Sequence, residues 1–202
     1  ASRCPVENPA SQSRLIVAPD GYFYGTTYWG GASGFGTIYR MDSAGATTTL
    51  HSFAFADGAN PAAGLVRSSD GAFYGTTSLG GTDNGGTVFR MEPSGAATRL
   101  HSFDGDGGEH PLAALIEASD GKFYGTTSEG GANGVGVLFR IDSSGVFDLL
   151  HSFDRSVDGA SPVSELVEAR GAFYGTTKEG GENDEGTVFR MDADGNVTAL
   201  HS

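Results

Sequence analysis

Asp106, Glu109 and His110 are the residues whose types and spacing best suit chemistry, because all three fall within one short glycine-rich segment. His110 stands apart from the other four histidines, each of which belongs to a Leu-His-Ser triplet. An imidazole in this position would act as a general base or a metal ligand, with the carboxylates orienting it or holding a cation. We therefore predict Asp106, Glu109 and His110 as catalytic residues. The competing interpretation is that Asp and Gly simply form turns here.

Carboxylates on variable loops also suit a divalent cation such as Ca²⁺, which prefers oxygen ligands. Asp106, Glu109 and Asp158 are the predicted metal ligands. Segment 104–107 is similar to the start of a calcium loop but lacks the twelve-residue spacing that ends in Glu. A bound cation could activate water for ester hydrolysis.

A second candidate site contains the single tryptophan, Trp29, which follows Tyr28 in a loop. Exposed loop aromatics stack on sugars or anchor a partner, and the corresponding positions elsewhere in the chain carry no such pair. Asp57 and Asn60 supply polar groups on a neighbouring loop, so Trp29, Tyr28, Asp57 and Asn60 are the predicted ligand-binding residues. The alternative is that Trp29 covers the adjacent strands or forms part of an interface.

These loops belong to a sequence that repeats itself every 50 residues. The segment Asp-Gly-Tyr-Phe-Tyr-Gly-Thr-Thr at 20–27 returns with small changes at 70–77, 120–127 and 170–177. Each copy continues through Gly-Gly, a Gly-Thr-Val-Phe-Arg-like run and Leu-His-Ser. A fixed period of this length is typical of a modular array whose units bury their faces against their neighbours.

Residues common to all copies are most simply explained by packing. The repeated histidine precedes a serine, but adjacent strand residues point to opposite faces, so the two are not catalytic partners. We expect this histidine to be buried or half-buried and to hydrogen-bond a neighbouring unit. The repeated arginine precedes an acid by two positions, as in Arg90 and Glu92, which favours a side-chain pair on one strand face.

Each copy contains four strand-like runs of about five residues between turn signals, and no window has helical periodicity. This content predicts an all-β chain and a β-propeller with four blades of four antiparallel strands. A solenoid of stacked hairpins is the alternative. The blades are expected at about 13–53, 62–103, 112–153 and 163–202, with 1–12 as the remnant of an inter-blade loop. The loops that differ between copies should then emerge on one face, around the channel mouth.

The formal charge of −13 disfavours nucleic acid and anionic membrane surfaces as partners. The single cysteine excludes an intramolecular disulfide, and no apolar run has the length of a membrane span. No signal peptide is recognisable, and the sequence starts without Met, so a leader could have been removed.

The four repeated segments, in this order and spacing, resemble the extracellular bacterial tandem-repeat proteins that carry Gly-Thr-Val-Phe repeats. The resemblance covers residues 13–202. It implies a β-propeller-like fold and an extracellular or cell-surface location, and it implies no activity. Because arrays of that family are usually longer, we expect a homodimer that closes an eight-bladed ring.

Two functions follow from these observations, and a purely structural spacer is the remaining alternative. The first is a secreted β-propeller that binds a small molecule, a carbohydrate or a cation at its channel mouth. The second is a promiscuous hydrolase of esters, lactones or phosphotriesters, with or without a metal ion, whose site lies in the propeller channel or at the dimer interface.

Overall fold

The repeated Phe-Tyr-Gly-Thr-Thr segment forms the second strand of each of four antiparallel sheets, which we name blades 1 to 4. Aromatic and β-branched residues favour a strand that is buried on both faces, and this segment is buried throughout in blades 2 and 3. The structure is a computed structural model and describes residues 14–192 and 194–202. The predicted loop remnant at 1–12 lies outside the described residues. Every regular element within them is a strand, and none of their elements is a helix that could cross a membrane.

The four blades use the same strand order. Blade 1 consists of β1 (Ile16–Val17), β2 (Phe23–Thr27), β3 (Thr37–Met41) and β4 (Thr47–Ser52). Blade 2 consists of β5 (Val66–Arg67), β6 (Phe73–Thr77), β7 (Thr87–Met91) and β8 (Ala97–Ser102). Blade 3 consists of β9 (Ile116–Glu117), β10 (Phe123–Thr127), β11 (Val137–Ile141) and β12 (Phe147–Ser152).

Blade 4 contains one additional strand. Its strands are β13 (Ala160–Pro162), β14 (Val167–Ala169), β15 (Ala172–Glu179), β16 (Val188–Met191) and β17 (Val197–His201). Strand β13 comes from the preceding inter-blade loop and pairs with the end of β15. The first turn of this blade is also shorter, with Arg170 and Gly171 both at positive φ (55° and 73°) between paired Ala169 and Ala172. Two central residues at positive φ are the pattern of a tight hairpin turn.

A β-bulge recurs at the same place in every blade. In blade 1, Ile38 pairs with His51 and Tyr39 pairs with Thr49, so Leu50 is the additional residue. The same register shift occurs in β7–β8, β11–β12 and β16–β17. The bulge fixes which face of the fourth strand the repeated histidine occupies.

The chain divides into two units, Ala1–Ser102 and Phe103–Ser202, and each has its own core between two blades. In the first unit, Ala18, Tyr24 and Ile38 lie on the face of blade 1 that packs against the next blade, and we name them its trailing set. They pack against a leading set in blade 2, which consists of Leu65, Phe73, Phe89 and Met91. The rings of Tyr24 and Phe73 stack with centroids 4.3 Å apart.

The second unit repeats this packing. Its trailing set in blade 3 is Ala118, Tyr124 and Leu138, and its leading set in blade 4 is Leu166, Phe173, Phe189 and Met191. Tyr124 and Phe173 stack at 4.1 Å, and Phe153 contacts Phe189 edge-on at 5.0 Å. Phe73, Phe123 and Phe173 are buried, as expected of residues common to all copies, whereas Phe23 is only half-buried.

Candidate functional site

The candidate site is built on a backbone pairing between Glu109 and Glu129 in the second unit. The Glu109 N–H donates to the Glu129 carbonyl at 2.7 Å, and the Glu129 N–H donates back to Glu109 at 3.1 Å. The Ser128 N–H and hydroxyl both donate to the His110 carbonyl, at 3.2 and 2.9 Å. The inter-blade loop is therefore held against the end of β10, and the two glutamates stand directly opposite each other.

His110 completes this cluster. Its Nε2 lies 4.0 Å from the Glu129 carboxylate, and the ligand atoms of Glu109, His110 and Glu129 all lie within 4.8 Å of one another. His110 has φ 55°, in the left-handed region. Asn60 and Ser161 hold the same repeat position with φ 57° and 52°, so this backbone conformation belongs to the repeat. The loop before blade 3 differs from its counterparts because the residue in this conformation carries an imidazole.

The corresponding pairs in the other copies do not join two acids. Ala59 pairs with Leu79 in the first unit, and Ala160 pairs with Glu179 in the second. Glu179 also has a cationic partner, because Arg155 lies 2.9 Å from its carboxylate. Two like charges directly opposite each other on paired strands are destabilising. The pair at Glu109 and Glu129 therefore favours a positively charged ligand in a way that its repeat counterparts do not.

The donor set selects among cations. Two carboxylate oxygens and one imidazole nitrogen suit Zn²⁺ or a transition ion such as Mn²⁺, whereas Ca²⁺ prefers oxygen ligands throughout. Ligand atoms around tetrahedral Zn²⁺ stand roughly 3.3 Å apart, given bonds of about 2.0 Å. The present separations of up to 4.8 Å would have to shorten. Glu129 is 59% exposed at its side chain and can make this movement.

Two of the predicted metal ligands lie apart from this cluster. Asp106 is exposed in the turn between Gly105 and Gly108, and it is not among the three clustered residues. Asp158 is buried, with Oδ2 2.6 Å from His151 Nε2 and Oδ1 accepting the Asp154 N–H at 2.8 Å. Both of its oxygens therefore hold the inter-blade loop in place.

Asp57 has the same arrangement in the first unit. Its Oδ2 lies 2.8 Å from His51 Nε2, and its Oδ1 accepts the Ala54 N–H at 2.8 Å. His51 and His151 are thus half-buried and tied to the loop that follows their blades, in agreement with the structural role predicted for the repeated histidine, whereas His201 is exposed. In the loop between blades 2 and 3, the position of Asp57 and Asp158 is occupied by Gly107, which has no carboxylate. The loop that carries Glu109 and His110 is therefore the one that departs from the repeated pattern.

The repeated serine and arginine also have structural roles. The hydroxyls of Ser102, Ser152 and Ser202 each accept a loop N–H at 2.8–3.2 Å. Arg90 pairs with Glu92, as its spacing predicts, and this carboxylate raises the pKa of the Arg90 guanidinium. Arg140 differs, since it binds Asp148 on the adjacent strand at 2.7 Å rather than Asp142.

The predicted ligand-binding residues lie in the first unit. Trp29 is 50% exposed and meets the half-buried Tyr28 edge-on with ring centroids 4.9 Å apart. Asn60 is 3% exposed and donates through Nδ2 to the Tyr28 carbonyl at 2.9 Å, so it supports this loop from beneath. Phe55 is 40% exposed at φ 64° and packs against Phe35 at 5.4 Å. The loops of this unit therefore present aromatic rings to solvent.

A cavity of about 410 Å³ in the second unit lies next to the first turns of its blades, where Tyr124, Phe173 and Met191 line it. Two of its carboxylates, those of Asp120 and Glu168, already have partners. Asp120 accepts the Tyr124 hydroxyl at 3.0 Å, and Glu168 accepts the Ser119 N–H and hydroxyl at 2.8 and 2.5 Å. The cavity thus lies among groups that serve the turn structure.

The same turn chemistry shifts two pKa values in blade 1. The Tyr24 hydroxyl donates to Asp20 at 2.6 Å, and this bond lowers the pKa of the Asp20 carboxyl below its ordinary value. Burial, together with the bond to Asp20, raises the pKa of Tyr24.

Glu129 is the member of the candidate cluster that the sequence analysis did not select. It occupies the variable position shared with Trp29, Leu79 and Glu179, which marks it as different from its counterparts. Its pairing with Glu109, twenty residues earlier, depends on a register that the spacing alone does not specify.

Four antiparallel blades with variable loops that carry the polar cluster define a tandem-repeat protein of the β-propeller class. The chain belongs to the Gloeobacter/Verrucomicrobia repeat family, whose model matches residues 10–202. This confirms the bacterial tandem-repeat family inferred from the repeated segments. Among curated proteins, no sequence matches this chain.

Solved structures support the propeller class. A gluconolactonase from Xanthomonas campestris matches with a TM-score of 0.59 and 17% identity, over 93% of this chain and 60% of its own. A puromycin hydrolase matches with a TM-score of 0.59 and 17% identity, over 94% of this chain and 28% of the hydrolase chain. The extracellular domain of a putative hybrid two-component system from B. thetaiotaomicron matches with a TM-score of 0.61 and 12% identity. The match covers 94% of this chain and 23% of that chain. At these identities the likeness shows the fold alone, and the chain spans about 60% of the gluconolactonase.

Proposed function

We propose that this protein is a β-propeller binding module whose variable loops hold a divalent cation through Glu109, His110 and Glu129. The observation that carries the proposal is the direct opposition of two carboxylates beside an imidazole, with all ligand atoms within 4.8 Å. A bound cation would offset the repulsion between the two glutamates. The repeat itself does not require two acids at these positions, since the equivalent pairs in the other copies do not join two acids. The family resemblance adds the proposal that this binding takes place outside the cell.

The preferred ion is Zn²⁺ or Mn²⁺ rather than Ca²⁺, because one of the three ligands is nitrogen. Within residues 14–192 and 194–202, no lysine or arginine pairs with Glu109 or Glu129 at 4.0 Å or less. The ion would therefore not have to displace a lysine or an arginine of these residues. Metal binding should also weaken on acidification, because the imidazole must be neutral to coordinate.

A second candidate function is hydrolysis of an ester, a lactone or a phosphotriester. It is favoured by the number of ligands, since three protein groups leave a coordination position for water on Zn²⁺. The exposed Glu129 side chain would keep that position open to solvent. The gluconolactonase and the puromycin hydrolase have similar folds, which makes their substrate classes reasonable ones to screen.

The test is calorimetric titration of EDTA-treated protein with Zn²⁺, Mn²⁺ and Ca²⁺. We expect one Zn²⁺ or Mn²⁺ per chain, weaker Ca²⁺ binding, and an affinity loss of about tenfold or more in Glu109→Gln and in His110→Gln. Asp106→Asn is the matched control on the same loop and should bind normally. Saturable binding that survives both ligand substitutions, or no binding at all, would refute the cation site.

The same samples separate the two functions. Ester, lactone and phosphotriester hydrolysis should be measured with Zn²⁺, with Mn²⁺ and after EDTA treatment. Metal-dependent turnover that is lost in His110→Gln would assign the hydrolase function. Metal binding without turnover would assign the binding module.

A further inference from the structure

The leading face of blade 1 has the composition of a buried blade interface but remains partly exposed. Its leading set, by repeat position, is Leu15, Phe23, Tyr39 and Met41. Leu15 is 41% exposed and the other three are half-buried. The corresponding sets in blades 2 and 4 are buried, at 0–6% exposure, including Leu65 at 2% and Met191 at 2%.

The trailing face of blade 4 is likewise more exposed than its counterparts in the other blades. Its trailing set is Ala169, Tyr174 and Val188, and Val188 is 39% exposed. Ile38, Val88 and Leu138 hold the Val188 position in the other blades, and each has 0% exposure.

Thr176 belongs to the same face. It is exposed, whereas Thr26, Thr76 and Thr126 at its repeat position are 1–4% exposed. In the first unit, the Thr26 hydroxyl donates to the Ala63 carbonyl of the following blade at 3.1 Å.

We propose that a second copy of this chain covers these faces, with the leading set of one copy on the trailing set of the other. The occupant is identified by the repeat itself. A trailing set is covered in both units by a leading set of Leu, Phe, an aromatic residue and Met. Blade 1 carries this combination, and none of the side chains in the two exposed sets is charged. By analogy with Tyr24 on Phe73 and Tyr124 on Phe173, Tyr174 would stack on Phe23 of the other copy.

The contact joins different faces of the two copies, so two such contacts related by a two-fold axis would close a ring of eight blades. A homodimer removes both exposed faces at once. A head-to-tail contact that failed to close would instead produce longer oligomers.

The test measures molar mass by light scattering on the 202-residue chain at micromolar concentration. The expected mass is twice the chain mass of 20.7 kDa. Leu15→Glu and Val188→Lys should each yield monomer, because each places a charge in one of the faces. Leu149→Glu, with the same 41% exposure as Leu15 but on β12 of blade 3, and Val146→Lys should remain dimeric.

Mixing Leu15→Glu with Val188→Lys tests the head-to-tail geometry. A mixed dimer would keep one wild-type interface, and its other interface would place the introduced carboxylate against the introduced ammonium group, so association should return. Return of the dimeric mass supports the proposal. A monomeric wild-type chain, a dimer that persists in both face variants, or a mixture that stays monomeric overturns it, provided circular dichroism shows that the variants remain folded.

Discussion

Glu109 and Glu129 face each other across two backbone hydrogen bonds of 2.7 and 3.1 Å, which places two negative charges at directly opposed strand positions. The neighbouring pair in blade 4 contains only one acid, Glu179, and Arg155 lies 2.9 Å from it. The two blades thus share the backbone pairing of this loop, but only the pair in blade 3 joins two acids. The electrostatic repulsion in blade 3 is the physical basis for expecting a cation there.

The first prediction is that Glu129→Gln changes stability in opposite directions with and without metal. In EDTA the substitution should stabilise the protein by about 0.5 kcal/mol, because opposed like charges cost roughly 0.2–1 kcal/mol. With excess Zn²⁺ it should destabilise the protein relative to wild type, because the variant gains less from binding. Urea unfolding under both conditions measures the two signs.

Glu179→Gln is the matched control, since it removes a paired acid at the same repeat position. It should lower stability by at most about 1 kcal/mol in either condition, as expected for an exposed salt bridge. An identical response of Glu129→Gln and Glu179→Gln to Zn²⁺ would count against the cation site.

The second prediction is that Asp158→Ala destabilises the protein without affecting metal binding. The loss should be about 2–3 kcal/mol, because the substitution leaves His151 and the Asp154 N–H without their acceptor. Asp57→Ala should cost less, about 1 kcal/mol, because the Asp57 side chain is 36% exposed against 6% for Asp158. Denaturant unfolding and Zn²⁺ titration of both variants provide the measurement. A normal stability in Asp158→Ala would contradict the structural role.

The sequence was sufficient to predict the blades, because the 50-residue period places the same strand and turn signals in each copy. It also singled out Glu109 and His110, since subtraction of the repeated residues leaves them unexplained. It could not separate them from Asp106 and Asp158. The sequence of a glycine-rich loop does not show whether a carboxylate in it is exposed or accepts a hydrogen bond from a backbone N–H. Glu129 required the register of the loop against β10, which depends on contacts between segments.

The third prediction concerns the glycine in the second strand of each blade. A Cβ at Gly75 would lie 2.7 Å from the Phe89 ring and 3.2 Å from Leu65, so the glycine makes space for the ring of its own blade. Gly75→Ala should therefore cost about 1–3 kcal/mol through overpacking. Adding Phe89→Leu should recover part of this loss, and thermal unfolding of the single and double variants measures the coupling.

Gly121→Ala separates the packing effect from backbone strain. Gly121 has φ 76°, and a Cβ on it would meet no atom within 4 Å, so its substitution should cost about 1 kcal/mol from conformation alone. Phe89→Leu should not reduce that loss. Equal recovery in both backgrounds would show that the Phe89 ring does not restrict Gly75.

The fourth prediction is that Trp29→Ala weakens ligand binding while leaving stability within about 0.5 kcal/mol of wild type, as is usual for exposed positions. Half of the Trp29 surface is exposed, and stacking on a sugar would use it. Electrophoresis through gels that contain soluble xylan or laminarin measures retardation of the folded protein. Leu79→Ala at the same repeat position is the control, and equal retardation of Trp29→Ala and wild type would argue against a carbohydrate site.

The last prediction is a pH dependence of stability carried by Tyr24 and Asp20. The Tyr24 hydroxyl bond lowers the pKa of Asp20 in the folded state, so its stabilisation is present above about pH 4 and disappears as the pH falls through the lower folded-state pKa. Burial raises the pKa of Tyr24, so its stabilisation is present below about pH 10 and disappears as the pH rises through the higher folded-state value. Tyr24→Phe should therefore reduce stability most near neutral pH and least at both extremes. Thermal unfolding from acid to alkaline pH, with Tyr28→Phe as the loop control, tests this, and a loss independent of pH would assign the effect of Tyr24→Phe to packing.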